Sequence, residues 1–257
     1  MSPVKYQVRD HVAEIMLDNA PVNALDDEVV EALLAALRRA RDDTEARAVI
    51  LGSAIAGRFC AGLQLDLFRN ETPENIHDLV EKLYVKLYDA QVDLGKPSIA
   101  AVVGAVRGGG MTVAISCDVI IAADNASFGY PEVDVGLIPG LHFTHLHRIV
   151  GRHRAFELLF SGRTFDAAEA ERLGLVSQIV AEAEVLDAAR KLARNFASKS
   201  PALMSRGRAA FYRGFDRDYR EGLMQAVEDV CDAASTRDSK EGMAAFMEKR
   251  KPRWTGE

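Results

Sequence analysis

The chain has 257 residues, enough for one large domain or a domain with a small appendage. Its formal charge of −6 argues against general nucleic-acid binding, which needs a basic footprint. Hydrophobic residues at 48% and charged residues at 27% describe an ordinary globular composition, and three widely spaced cysteines make neither a disulfide framework nor a thiolate zinc site.

A reducing compartment suits those thiols. The opening residues, MSPVKYQVRD, lack an apolar signal segment, and the longest apolar runs break before membrane-spanning length. A cytoplasmic protein with no membrane or nucleic-acid partner is expected.

Val4–Arg9 and Val12–Leu17 alternate in polarity across Asp10-His11, which predicts a hairpin. Asp26 is a helix cap, and Val29, Val30, Leu33, Leu34 and Leu37 give the following helix one apolar face, to about Ala40. A buried strand is expected at 48–51, then a glycine-containing loop, SAIAGRFCAGLQLD, over 53–66. Residues 67–76 read as a mobile polar loop. Within it Thr72-Pro73-Glu74 starts a helix that runs to about Val92, with a cap, a proline at the first helical position and an acid in the first turn.

The stretch 96–132 reads KPSIAAVVGAVRGGGMTVAISCDVIIAADNASFGYPE. Residues 98–103 have the composition of a buried strand, 111–117 of a short buried helix, and 119–124 of a second strand. Between the first two stands Gly108-Gly109-Gly110. Three glycines let backbone approach a ligand closely, and N–H groups at a helix start favour negative charge. The spacing is not GxGxxG, and no acid ends a second strand about 20 residues on, so a dinucleotide site does not fit. What the stretch offers is backbone donors for a developing anion and a carboxylate, Glu132, just after a proline.

Further on, 133–140 is a loop containing Pro139, and His142–Val150 and 153–159 are helical in pattern. Asp166 and Glu169 form a capping box for a helix that Gly174 ends, and 175–180 is strand-like. From Glu182 the chain turns helical, with Ser200-Pro201 opening one helix and Asp238 to Glu241 boxing the last.

Several motifs stand in a characteristic order: Asn23-Ala24-Leu25, Phe59-Cys60-Ala61-Gly62, the glycine triplet, FGYPE, LFSGRTFDAAEAERLGLVSQIV and the tail EGMAAFMEKRKPRWTG. Together they resemble the crotonase superfamily, also called the enoyl-CoA hydratase/isomerase family, over almost the whole chain. The resemblance implies an α/β fold. A spiral of ββα units would occupy residues 1–197, and a C-terminal helical trimerisation region 198–257, giving a homotrimer or a dimer of trimers. It implies an acyl-CoA thioester substrate, with coenzyme A arriving as part of it and no separate cofactor or metal. The backbone amides of Leu63 and Gly109 would hold the thioester oxygen as it becomes an enolate. Ala61 and Leu65 would line the adenine end of the coenzyme A site, and Phe246 and Lys249 would approach the coenzyme A of a neighbouring subunit.

Hydratases of this family carry two glutamates. One stands in the loop matching FGYPE and the other follows the triplet after one intervening residue. Here they correspond to Glu132 and Thr112, and a threonine is no base near neutral pH. Hydration benefits from two positioned groups, whereas one carboxylate can take a proton from one carbon and return it to another. Glu132 as single acid/base therefore predicts enoyl-CoA double-bond isomerisation. The alternatives are an enoyl-CoA hydratase, an acyl-CoA thioester hydrolase and a non-catalytic acyl-CoA-binding homologue. GLHFTHLH at 140–147 departs from the family's glycine-rich turn. Thr112 and His142 are assigned to the substrate pocket. His142 and His145 either bring one imidazole into it or stand half-exposed at a helix start, and the second reading is preferred. Arg107 is expected beside Asp118 or Asp124, Cys60 as a small buried thiol, and the apolar positions of 204–224 in the core or a subunit interface.

Overall fold

The protein is described from a computed structural model covering residues 2–215 and 217–257. Strands β1 (Val4–Arg9) and β2 (Val12–Leu17) form the expected hairpin. A two-residue strand, β3 (Ala24–Leu25), leads to α1 (Asp27–Asp42), whose cap Asp26 accepts the Val29 N–H at 2.9 Å. The chain then repeats one course. β4 (Ala48–Ser53), β7 (Ser98–Val102) and β9 (Val119–Ala123) enter a large sheet. Each is followed by a short strand in a small sheet: β5 (Arg58–Cys60), β8 (Ala105–Arg107) and β10 (Ser127–Gly129). Helices return the chain between these pairs.

The large sheet runs β1-β2-β4-β7-β9-β12, with β12 at Gln178–Val180, and is parallel from β2 onward. Its central strands read AVILGS and SIAAV and are almost wholly buried, as a parallel sheet covered on both faces requires. The small sheet is β11-β10-β8-β5, with β11 at Thr164–Asp166, and a separate pair joins β3 to β6 (Gly62–Leu63).

Two local expectations change. Residues 67–76 contain α2 (Leu67–Asn70) and the start of α3 (Pro73–Glu81), so their polarity marks an exposed helical face, not a loop. The helix that follows is interrupted by a π-helical turn, Lys82–Lys86, before α4 (Leu87–Val92). That turn buries Leu83 and lays its side chain against Gly109 of α5 (Gly109–Ile115).

After α6 (His142–Val150), α7 (Arg152–Ser161) and α8 (Ala167–Arg172), helix α9 (Val185–Ala197) packs on the large sheet. Asp166 caps α8 as expected, accepting the Glu169 N–H at 2.7 Å. The Glu169 carboxylate instead takes two hydrogen bonds from Arg163, so the box is half made. The last helices are α10 (Pro201–Gly214), α11 (Tyr219–Ser235) and α12 (Arg237–Met247). Thr236, not Asp238, caps α12. Asp238 is buried and accepts from Ser200 Oγ, Thr255 N and Gly256 N, tying the tail to α10.

Helix α11 buries none of its residues in this chain, and Phe211, Phe215, Tyr219, Leu223 and Met224 are exposed, so this apolar surface is not core. Among the described residues no helix is long and apolar enough to cross a membrane. Arg208 anchors α10. It donates to Asp118 Oδ2 at 2.9 Å and to the Val92 carbonyl at 3.0 Å, while Tyr212 donates to Asp118 Oδ1 at 2.7 Å. Asp118 in turn accepts the Ser98 N–H at 2.7 Å, joining helix to sheet. Arg208 is buried and Asp118 is reached by solvent, so Arg208→Ala removes packing and hydrogen bonds without stranding a buried charge and should lose about 2 kcal/mol of unfolding free energy in urea titration.

Candidate active site

Glycine packing builds the centre of the site. Gly110 lies so close to Cys60 that an added Cβ would come within 2.9 Å of the Cys60 Cβ. Gly62, at φ +93°, faces the Arg107 carbonyl, which a Cβ there would meet at 2.8 Å. The two backbones therefore touch without side chains between them. A Cβ built at Gly62 would stand 3.2 Å from Gly109 N, and one at Gly109 would stand 3.3 Å from Leu63 N, so the two stretches of backbone bring these amides close together. Gly109 opens α5, where an N–H has no intrahelical partner. Gln64 N bonds the Leu25 carbonyl on the β3 side, which turns the preceding Leu63 N–H the other way. Asn23 fixes this loop from beneath: buried at φ +52°, it donates to Ser53 Oγ and the Phe59 carbonyl, each at 2.8 Å. Cys60 is held there too, its thiol donating to the Asn23 carbonyl. Burial pushes it up to about 12, which leaves no thiolate nucleophile.

Glu132 lies on a single 3₁₀ turn, Pro131–Val135, directly after β10. Gly108 has φ +46°, and a Cβ there would meet Glu132 Oε1 at 2.7 Å, so the carboxylate rests on the glycine triplet. Its Oε2 is buried with no hydrogen-bond partner. Desolvation raises its pKa, against a smaller lowering by its own backbone amide.

A cavity of about 390 Å³ opens at this point. Its lining includes Ala61, Leu63, Leu65, Gly109 and Glu132, all singled out from the sequence. Phe68, Val80, Tyr84, Leu137 and Ile138 complete an apolar wall that sequence reasoning missed. Val80 and Tyr84 share one helix face at i, i+4 spacing, a signal available in the sequence. Burial, and then the nearby Glu132 carboxylate, push the Tyr84 phenol above its ordinary range. Phe246 and Lys249 are exposed at the end of α12 and do not line this chain's cavity.

Thr112 and His142 do not line the cavity either. Helix α5 turns Thr112 toward α6, where its hydroxyl lies 3.4 Å from His142 Nε2. The expectation of half-exposed imidazoles fails for His142, while His145 is half-buried. His142 is buried against Tyr130, ring centroids 4.5 Å apart, and desolvation lowers its pKa to about 3. Both nitrogens of His145 are buried without partners, and desolvation lowers its pKa to about 4. Arg107 meets neither Asp118 nor Asp124. It donates to the Val106 and Ser127 carbonyls and to Ser127 Oγ, and desolvation lowers its pKa. The one group of possible metal ligands among the described residues, His77, Asp78 and Glu81, belongs to the helix outside this cavity. The cavity lining brings together the Leu63 and Gly109 amides, groups able to donate to an anion, and a raised-pKa carboxyl, a group able to move a proton.

A family model described as enoyl-CoA hydratase/isomerase matches residues 7–257. The probable enoyl-CoA hydratase 2, mitochondrial, of Arabidopsis thaliana is 38% identical over 95% of this chain and 82% of its own. The probable enoyl-CoA hydratase of Bacillus subtilis is 35% identical over the full length of both chains. The crystal structure of enoyl-CoA hydratase from Bacillus anthracis superposes with a TM-score of 0.93 at 31% identity, covering 99% of this chain and all of that one.

The raised carboxyl has a direction in pH. Catalysis by the Glu132 carboxylate should fall on the acid side through an apparent pKa above 4.5 in the kcat/KM profile. Glu132→Gln should lower kcat about a thousandfold. Because the folded-state pKa lies above the unfolded one, Glu132 subtracts stability as pH rises past 4.5, so the Gln variant should melt no lower than wild type at neutral pH.

Proposed function

The chain belongs to the enoyl-CoA hydratase/isomerase family, and on that footing we propose that it moves the double bond of an enoyl-CoA thioester, with Glu132 as the single acid/base. The carrying observation is that Glu132 is the one carboxyl among the described residues lining the cavity at Leu63 and Gly109. In a 3-enoyl-CoA, Glu132 takes the proton α to the thioester. The C–H electron pair passes to the carbonyl oxygen, and the Leu63 and Gly109 N–H groups receive the charge, each contributing on the order of 3 kcal/mol. The protonated carboxyl then returns its proton to the γ-carbon, and the electrons reclose the carbonyl as the conjugated 2-enoyl thioester. This sequence calls for no metal or redox cofactor. Coenzyme A arrives with the substrate, its adenine end toward Ala61 and Leu65.

The exposed apolar face of α10 to α12 supports residues 198–257 as a trimerisation region, in a homotrimer or a dimer of trimers. There Phe246 and Lys249 would reach the coenzyme A of the next subunit. Hydration is the second reading. It is favoured by the names of the relatives and by Tyr84, a further polar group in the same cavity as Glu132.

Product analysis separates the two. With 3-hexenoyl-CoA, wild type should yield 2-hexenoyl-CoA and Glu132→Gln should not; 3-hydroxyhexanoyl-CoA as main product from 2-hexenoyl-CoA would overturn isomerisation. The His142 imidazole fills the space beside position 112. Thr112→Glu alone should therefore add no hydration, while Thr112→Glu with His142→Gly should raise it about tenfold or more by restoring a second carboxyl.

A further inference from the structure

Tyr84 is a polar side chain that the proton shuttle leaves without a role. Its helix explains why it lines the cavity. Leu79, Leu83 and Leu87 are buried and turn one side of the helical run 73–92 into the core. Val80 and Tyr84 each follow one of these leucines by one residue, so they share the adjacent face, and both line the cavity. The π-helical turn fixes this placement. The Leu87 N–H bonds the Lys82 carbonyl five residues back, and Leu83 in the same turn lies against Gly109. On its other side the Tyr84 ring edge reaches Gly140, where a Cβ would stand 3.9 Å from Tyr84 Cε2.

The wall around the phenol is apolar: Phe68, Val80, Val135, Leu137 and Ile138. Tyr84 brings the one hydroxyl among the described lining residues. The other polar side chains of the lining are committed. Arg107 donates to the Val106 and Ser127 carbonyls and to Ser127 Oγ, and Glu132 carries the proton. No side chain among the described residues bonds the Tyr84 hydroxyl. Burial keeps the phenol neutral, able both to donate and to accept. A chain of methylenes alone would press against that hydroxyl and leave it unpaired, a cost that an oxygen on the chain removes.

We propose that this cavity selects acyl-CoA thioesters whose chain bears an oxygen, hydroxyl or carbonyl, beyond the γ-carbon, and that Tyr84 is the residue that bonds it. The thioester oxygen and the α- and γ-carbons belong at the glycine triplet and Glu132. Tyr84, with its ring edge at Gly140, is left for the more distant part of the chain. The proposal rests on the reading above that an acyl-CoA occupies this cavity, and not on the isomerisation.

Affinity tests it without turnover. Hexanoyl-CoA, 5-oxohexanoyl-CoA and 6-hydroxyhexanoyl-CoA are titrated calorimetrically into wild type and Tyr84→Phe. Wild type should hold at least one oxygenated thioester about 10-fold more tightly than hexanoyl-CoA, and Tyr84→Phe should bring that ratio to within about 2-fold of unity. A role in packing alone would weaken all three ligands together and leave the ratio unmoved. Equal affinities in wild type, or a preference that survives Tyr84→Phe, would overturn the role of Tyr84 while acyl-CoA binding stood. Binding of none of the three would remove the acyl-CoA reading, and this inference with it. A Tyr84-dependent preference without turnover of 3-hexenoyl-CoA would uphold the proposal and overturn the isomerisation alone. Should the variant fail to fold, the wild-type ratio decides: about 10-fold upholds the oxygenated chain, and unity overturns it.

Discussion

Two pieces of backbone meet where no side chain fits between them, and the rest of the site hangs on that contact. Gly110 presses on Cys60, and Gly62 on the Arg107 carbonyl. The contact exists because β5 and β8 are neighbours in the small sheet, so the loop after one and the helix start after the other leave from the same end. Asn23 holds the first loop and the π-turn residue Leu83 buttresses the second. A β-carbon at either glycine would push the loops apart. Backbone donors preorganised in this way need little rearrangement when charge develops on a bound oxygen.

Glu132 shows the opposite economy. Its carboxyl stands among apolar side chains, with one oxygen unpartnered, so desolvation works against its charged form. The same desolvation makes the carboxylate a stronger base than one in water. Rigidity comes from the turn itself: Pro131 starts it, and Leu137 N bonds the Glu132 carbonyl at 2.8 Å. Folding stability is given up at the point where proton transfer is proposed to occur.

The Thr112–His142 pair stands at the position where the resemblance implies a second glutamate in a hydratase. The imidazole lies behind the glycine triplet, outside the cavity lining, and is neutral. The place is polar but holds no carboxyl. His145 is half-buried, its two ring nitrogens out of solvent and its ring centroid 5.2 Å from that of His142, so imidazoles continue along α6.

The sequence by itself determined the order of elements, the amphipathic face of α1, the strand pairs around the glycine triplet, and Glu132 beside potential backbone donors. Those features are written in neighbouring residues: alternation, helical spacing, caps and glycine runs. The order of the motifs also carried the family and its fold. Tertiary structure alone decided that Thr112 faces His142 thirty residues on, that Arg208 reaches Asp118 ninety residues back, and that Arg107 bonds Ser127 and not an acid. It also decided that 67–76 is partly helical and that α11 buries none of its residues within this chain. The physical reason is common to all of these. Burial and hydrogen-bond partners are set by whatever the fold brings alongside, and a pattern confined to one stretch of chain contains no record of its distant neighbours.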